Sequence, residues 1–279
     1  LSASSPPRLL LFAPSRRRAS ETFIRANLRG LGAQAVVVCG DERPWCGDRL
    51  RLLYGLAILL SKACSRLGWH RLATAVVTPV AVRCCQRERP EVVMAEFGFH
   101  AVRVMELVPR TGLPLVVHFR GSDASSRRHF SQLRERYRRL FELAAAIVVK
   151  SQPMRDRLLA LAGPDASRLR VVISPSGANV ELFHGANPEQ APPAFLTVGR
   201  CVAKKGPLQT LEAFARAAAT RPAMRLVVVG TGPLLPACRG RAESLGIADR
   251  VAFAGVESPE RIAERMRGSR ALLLHSLTA

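Results

Sequence analysis

Short apolar runs alternate along this chain with longer stretches in which apolar residues recur every three or four positions. The short runs predict strands over residues 8–13, 35–39, 92–95, 115–119, 146–150 and 170–173, then a second series over 194–198, 225–229, 250–254 and 270–274. The longer stretches predict helices over 21–30, 126–143, 152–161, 207–219, 234–245 and 259–267. Alternation of this kind builds parallel sheets covered by helices on both faces. Runs such as Leu226-Val227-Val228-Val229 are apolar throughout, as a strand buried on both faces must be. The polar, proline-rich stretch 184–193 separates the two series. The chain therefore divides into a domain at 1–183, a linker at 184–193 and a second domain at 194–279.

Residues 49–89 break this rhythm with two apolar blocks, 52–60 and 72–82, bounded by basic residues. They fit a pair of helices packed on the core or a basic-rimmed helical face lying on an anionic membrane.

Length and charge narrow the picture. A chain of 279 residues with 48% apolar content can bury two ordinary cores. Forty-two Lys and Arg against 21 Asp and Glu give a net charge of +21. Such a field attracts polyanions: nucleic acid, an anionic membrane face or a phosphorylated substrate. The basic residues are spread along the whole chain rather than gathered in a tail. Aromatic residues are 5% and do not alternate with Lys or Arg, so a base-stacking platform lacks support and nucleic acid is not expected as a partner. The seven cysteines include no C-x-x-C pair and mostly have apolar neighbours, as buried free thiols in a reducing cytosol do. The six histidines are scattered without H-E-x-x-H, and no metal site or cofactor is expected. The longest apolar run, 52–60, has nine residues, against the ~20 needed to span a bilayer. The first residues lack the features of a secretion signal. A cytoplasmic protein follows, with peripheral contact to the inner face of the plasma membrane.

The strongest chemical signal is Val198-Gly199-Arg200-Cys201-Val202-Ala203-Lys204-Lys205-Gly206, which leads into an amphipathic helix at Pro207. A strand ending in glycine lets backbone approach a ligand. Arg200 and Lys205 bracket a loop that enters a helix N-terminus, where free N–H groups and the dipole favour anions. A planar guanidinium fork and a mobile ammonium together suit a diphosphate. The order is not that of a Walker A loop, since Lys205 precedes Gly206 and Pro207 follows. Val229-Gly230-Thr231-Gly232-Pro233 closes the next strand with a second glycine turn that is not G-x-G-x-x-G. Two successive units of this form place both loops at the carboxyl edge of one sheet, where open α/β folds bind ligands.

The ordered series VGR…KKG, Leu211-Glu212-Ala213-Phe214, VVVGTGP, Leu245-Gly246-Ile247, Asp249-Arg250-Val251, Phe253-Ala254-Gly255 and Ser258-Pro259-Glu260 resembles the C-terminal domain of retaining nucleotide-sugar glycosyltransferases of the GT-B fold, family GT4. The first half is similar to the same family at Ser20-Glu21-Thr22-Phe23-Ile24, Ala95-Glu96-Phe97-Gly98, the run from Pro114 to Asp123, and Pro175-Ser176-Gly177-Ala178-Asn179 with Phe183. The resemblance spans roughly residues 8–279 and implies two Rossmann-like domains with parallel sheets facing a central cleft. It implies transfer of a sugar, with retention and without a catalytic metal, from a UDP- or GDP-sugar to a polysaccharide or lipid-linked glycan of the cell envelope. Donor-binding positions would be Gly199, Arg200, Lys205, Gly206, Gly230, Gly232, Val256 and Glu257, the last two beside the base. Acceptor-binding positions would be Ser20, Glu21, Thr22 and Glu96, with Arg120, Asp123 and His118 as the catalytic set.

Three positions depart from the family pattern. Arg120 stands where a His usually precedes the glycine of the H-G-x-D loop, and a guanidinium cannot act as a general base. Either it positions an anionic group or the protein is catalytically impaired; His118 is the nearest imidazole. His275 replaces a customary proline. The acidic E-x7-E segment would follow Ala279, so the donor domain is expected to be incomplete and the chain to be a fragment. Two other readings stand beside the glycosyltransferase: a non-catalytic relative of the same fold, suggested by Arg120, and a polyanion- or nucleic-acid-binding protein, suggested by the charge.

Overall fold

The computed structural model describes residues 7–15, 24, 34–40, 48–125 and 127–277. They form two compact units, Leu1–Ser176 and Gly177–Ala279. The first holds a parallel sheet of six described strands: β1 (Arg8–Ala13), β2 (Gln34–Cys39), β3 (Val92–Glu96), β4 (Leu115–His118), β5 (Ala146–Val149) and β6 (Val171–Ile173). Their order is β2-β1-β3-β4-β5-β6. The second unit holds β7 (Ala194–Val198), β8 (Arg225–Val229), β9 (Val251–Gly255) and β10 (Ala271–Leu272), all parallel, in the order β10-β7-β8-β9. Central strands are buried on both faces, as in β1, where every residue after Arg8 is buried. Each sheet reverses its direction of growth once, between β1 and β3 and between β7 and β10. Loops at the carboxyl ends beside such a switch point are where open α/β sheets take ligands.

The boundary between units lies before the expected one at residue 183. The chain leaves the first sheet at Ile173, and Leu182 is already tied to the second unit, its carbonyl accepting from Arg267 Nη1 at 3.3 Å. The predicted helix over 21–30 falls almost wholly outside the described residues, as do Ser20, Glu21 and Thr22.

Residues 49–89 fold as three helices rather than two: Arg49–Arg66, His70–Ala75 and Thr78–Glu88. Pro79 has no N–H to continue the ladder, so the second apolar block divides just before it. Asp48 starts the first helix by accepting from the amides of Leu50 and Arg51. That helix buries Tyr54, Ala57, Ile58 and Ser61 against the core, yet its other side exposes Leu53, Leu56, Leu59 and Leu60 by 45–59%. The predicted helix over 126–143 is divided at Leu133 into Arg127–Gln132 and Arg134–Leu143.

A buried polar pair in this unit makes it acid-sensitive. The Tyr54 hydroxyl lies 2.9 Å from His100 Nε2, and His100 is 3% exposed. Burial, with smaller contributions from Arg103 and Lys62, lowers the His100 pKa from 6.5 to about 3. The unfolded imidazole binds its proton near pH 6.5 and the folded one only near 3. The stability is therefore complete above 6.5 and falls by about 1.4 kcal/mol per pH unit as the pH drops from there towards 3. Acid unfolding followed by circular dichroism should be shallower in this window for His100→Gln; an unchanged slope would contradict the assignment.

Candidate functional site

At the carboxyl edge of the first sheet, β3 ends in Glu96 and β4 in His118, paired across the ladder. Arg120 follows two residues later. Its Nε donates to Glu96 Oε2 at 2.7 Å and its Nη2 to Glu96 Oε1 at 2.6 Å, a bidentate fork. Both side chains are buried, at 5% and 1% exposure. His118 Nδ1 lies 3.6 Å from the same Oε1, and neither ring nitrogen has a hydrogen-bond partner among the described residues. Burial favours the uncharged form of Glu96, but the nearby His118 ring and the hydrogen bonds from Arg120 outweigh it and hold the carboxyl below its usual range. Burial, helped by Arg120 and Lys150, keeps the His118 imidazole below its usual value against the pull of Glu96.

The turn after β3 explains how these groups are held. Phe97 adopts φ 67°, and the chain enters helix Gly98–Val104 at once. A Cβ on Gly98 would lie 2.2 Å from the buried Phe119 ring, so only glycine lets the two loops meet. Asp123 joins them: its carboxylate accepts from Gly98 N at 2.9 Å, Gly121 N at 2.8 Å and Arg120 N at 3.0 Å. Asp123 is fully buried, and burial raises its pKa against those amide bonds. Its oxygens are engaged by backbone amides, so the carboxylate ties the Arg120–Gly121 turn to the start of helix Gly98–Val104. Tyr137, buried against Phe119 and Phe141, donates its hydroxyl to the Asp123 carbonyl at 2.9 Å. Lys150, which no motif in the sequence marks, stands just past the end of β5 and donates to the Ser174 carbonyl at 3.0 Å. Its place after a strand and the rarity of lysine in this chain were the available signals.

In the second unit, the 199–206 loop leaves β7 at the switch point and enters helix Pro207–Ala219. That helix starts at Gly206 (φ 54°) without a side-chain cap, which leaves first-turn amides for a ligand. Arg200 is exposed and Lys205 half-buried, and among the described residues neither side chain has a hydrogen-bond or ion-pair partner. A Cβ on Gly199 would meet nothing within 4 Å.

The glycines of the neighbouring turn are required by the packing of the two loops. A Cβ on Gly230 would fall 1.9 Å from the Gly199 carbonyl oxygen, and one on Gly232 would fall 2.4 Å from that of Cys201. The two loops are laced backbone to backbone: Gly199 N donates to Val229 O, Cys201 N to Thr231 O and Leu234 N to Cys201 O. Gly206 is braced from a third side, its Cβ position lying 2.5 Å from the His275 carbonyl, while Leu277 N donates to Lys204 O at 3.0 Å. Val256 is 58% exposed just past β9. Glu257 is committed to a bidentate pair with Arg265 at 2.6 and 2.7 Å, which holds its carboxyl below the usual range.

Two parallel α/β units with ligand edges of this form define a protein of the GT-B fold class. The chain belongs to the glycosyl transferase 4-like domain family, whose model matches residues 23–174; the glycosyl transferases group 1 model matches residues 180–278. It is similar to an uncharacterized glycosyltransferase, YqgM, of Bacillus subtilis strain 168, at 29% identity over 188 residues, 65% of this chain and 51% of that protein. The chain thus spans about half the length of that curated relative. Among solved structures it resembles HepE of Anabaena in complex with UDP and glucose, with a TM-score of 0.66, 15% identity, and coverage of 97% of this chain and 74% of the other. Sucrose-phosphate synthase of Thermosynechococcus elongatus gives a TM-score of 0.67 at 14% identity, with 97% and 75% covered.

Proposed function

We propose that this protein is a glycosyltransferase that moves a sugar from a UDP- or GDP-sugar to a polysaccharide or lipid-linked glycan, with retention at the anomeric carbon and without a metal. The observation that carries the reading is the 199–206 loop: an open glycine at a switch point is followed by two cations without partners among the described residues, ahead of an uncapped helix. The donor diphosphate lies over this loop and the helix amides. Arg200 and Lys205 neutralise the charge that develops on the diphosphate as the sugar leaves, an electrostatic contribution made where the charge appears. Val256 lies beside the base, and the acceptor is held at the Glu96 edge of the first unit. The exposed leucines of helix Arg49–Arg66, with Arg66 in its last turn, support peripheral contact with the cytoplasmic face of an anionic membrane.

Release of UDP or GDP from the matching hexose donors in the presence of lipid-linked acceptor tests the reading. Arg200→Ala with Lys205→Ala should lower the rate by roughly 100-fold or more; an unchanged rate would remove the loop from the reaction. A second reading, a non-catalytic relative, draws on the Arg120–Glu96 fork, which fills a position expected to hold an imidazole. Transfer by Arg120→His but not by the wild type would establish it.

A further inference from the structure

The first unit contains a second charged feature that sugar transfer does not use. Helices Arg49–Arg66, His70–Ala75, Gly98–Val104 and Arg134–Leu143 contribute to a cavity of about 570 Å³. Lys62, Arg66, His70, Arg103 and Arg136 line it, and among the described residues that line it none is Asp or Glu. Two of the cations are built into the wall. Arg103 Nη1 donates to the Ser61 and Ser65 hydroxyls, at 2.5 Å and 3.3 Å. Arg136 Nη2 donates to Thr74 Oγ1 at 2.8 Å and to the Val102 carbonyl at 2.9 Å. All four partners are neutral. Elsewhere in this unit a buried guanidinium meets a carboxylate, as Arg120 meets Glu96. His70 Nδ1 is buried in the same wall without a hydrogen-bond partner among the described residues.

Arg103 and Arg136 are half-buried; withdrawing charge from water is costly unless it is paired, and a guanidinium cannot escape by losing its proton. Burial and the neighbouring Arg103 lower the Arg136 pKa from 12.5 to about 10, which still leaves it charged at neutral pH. The two guanidiniums therefore repel one another across a space to which the described residues supply no anion. Hydroxyls and a carbonyl fix one nitrogen of each fork, which holds the planar donors ready for a tetrahedral oxyanion. We propose that this cavity is a phosphate-binding site, taking a phosphomonoester or diphosphate group between Arg103 and Arg136, with Lys62, Arg66 and His70 Nδ1 at its margin. The site lies within the first unit and stands whether or not the chain transfers sugar.

Calorimetric titration of inorganic phosphate into the full chain at fixed ionic strength tests this. Arg103→Gln with Arg136→Gln should weaken phosphate binding by at least roughly tenfold, because charge-assisted hydrogen bonds are lost. Arg83→Gln with Arg110→Gln, which removes the same charge from exposed positions, should leave it within about twofold. Binding should also persist in Arg200→Ala with Lys205→Ala, which separates this site from the donor loop. Equal weakening by both arginine pairs, or no weakening by the cavity pair, would overturn the proposal. If the cavity pair fails to fold by circular dichroism, Lys62→Gln with Arg66→Gln, both at exposed positions, carries the test, with roughly threefold weakening expected and none contradicting it. Vesicles containing phosphatidic acid identify the source. Displacement of bound vesicles by inorganic phosphate, lost in the cavity variant, assigns a lipid headgroup; phosphate binding without vesicle recruitment assigns a soluble phosphate.

Discussion

Gly230→Ala should destabilise the second unit by on the order of 4 kcal/mol, combining overpacking with backbone strain. The added Cβ would sit 1.9 Å from the Gly199 carbonyl oxygen, so the β7 and β8 loops would have to part by more than an ångström. Parting them breaks the Gly199 N to Val229 O bond at 2.9 Å and strains the contact of Gly230 N with Gly255 O. Gly230 also has φ 132°, a conformation an L side chain rarely adopts. Gly199→Ala is the matching control. Its Cβ meets open space, and its stability should stay within about 0.5 kcal/mol of wild type. Thermal or urea unfolding of the two variants reads the difference directly. Equal stability would mean that the two loops do not pack as described.

Glu96→Gln is expected to cost about 3–5 kcal/mol, because it removes the carboxylate charge that the buried Arg120 fork is built around. Arg120 is 5% exposed and both of its fork contacts run to Glu96. Replacing both partners, as in Glu96→Leu with Arg120→Met, should recover most of that loss, since an apolar pair of similar volume needs no counter-ion. The pair also sets a pH dependence. The folded-state pKa of Glu96 is depressed, so its contribution is present above the unfolded carboxyl pKa and is lost as pH falls through the folded value. Urea unfolding of the single and double variants at neutral pH decides. A cost below 1 kcal/mol for Glu96→Gln would contradict a buried, mutually dependent pair.

The strands were legible because their signal is local. An apolar run such as that of β8 carries its own burial pattern, and glycine or proline marks its end. Helices Pro207–Ala219 and Pro259–Arg267 were equally readable, each with proline in its first turn. The donor loop could be found because its cations and glycines are neighbours in sequence. What the chain hid was pairing at a distance. Nothing near Glu96 indicates that its carboxylate is held by a residue 24 positions later. Nothing near Gly206 shows that the backbone at His275 crosses it. Gly230 could be recognised as necessary, but the reason, backbone contact with Gly199, required the fold. The acidic residue of the 120–123 loop was visible too, while its use as an acceptor for three backbone amides depends on how helix Gly98–Val104 meets that loop. The cavity around Arg103 and Arg136 was illegible for the same reason, since its wall is assembled from five helices.

The central claim is that the 199–206 loop binds the diphosphate of a sugar nucleotide. Calorimetric titration of UDP and GDP into the wild type and into Arg200→Ala with Lys205→Ala tests it most directly. Two charge-assisted contacts at roughly 1.5 kcal/mol each predict about a 100-fold loss of nucleotide affinity. The melting temperature should not change, because neither side chain has a partner within the fold among the described residues. Equal affinity in the two proteins, with both folded, would contradict the assignment.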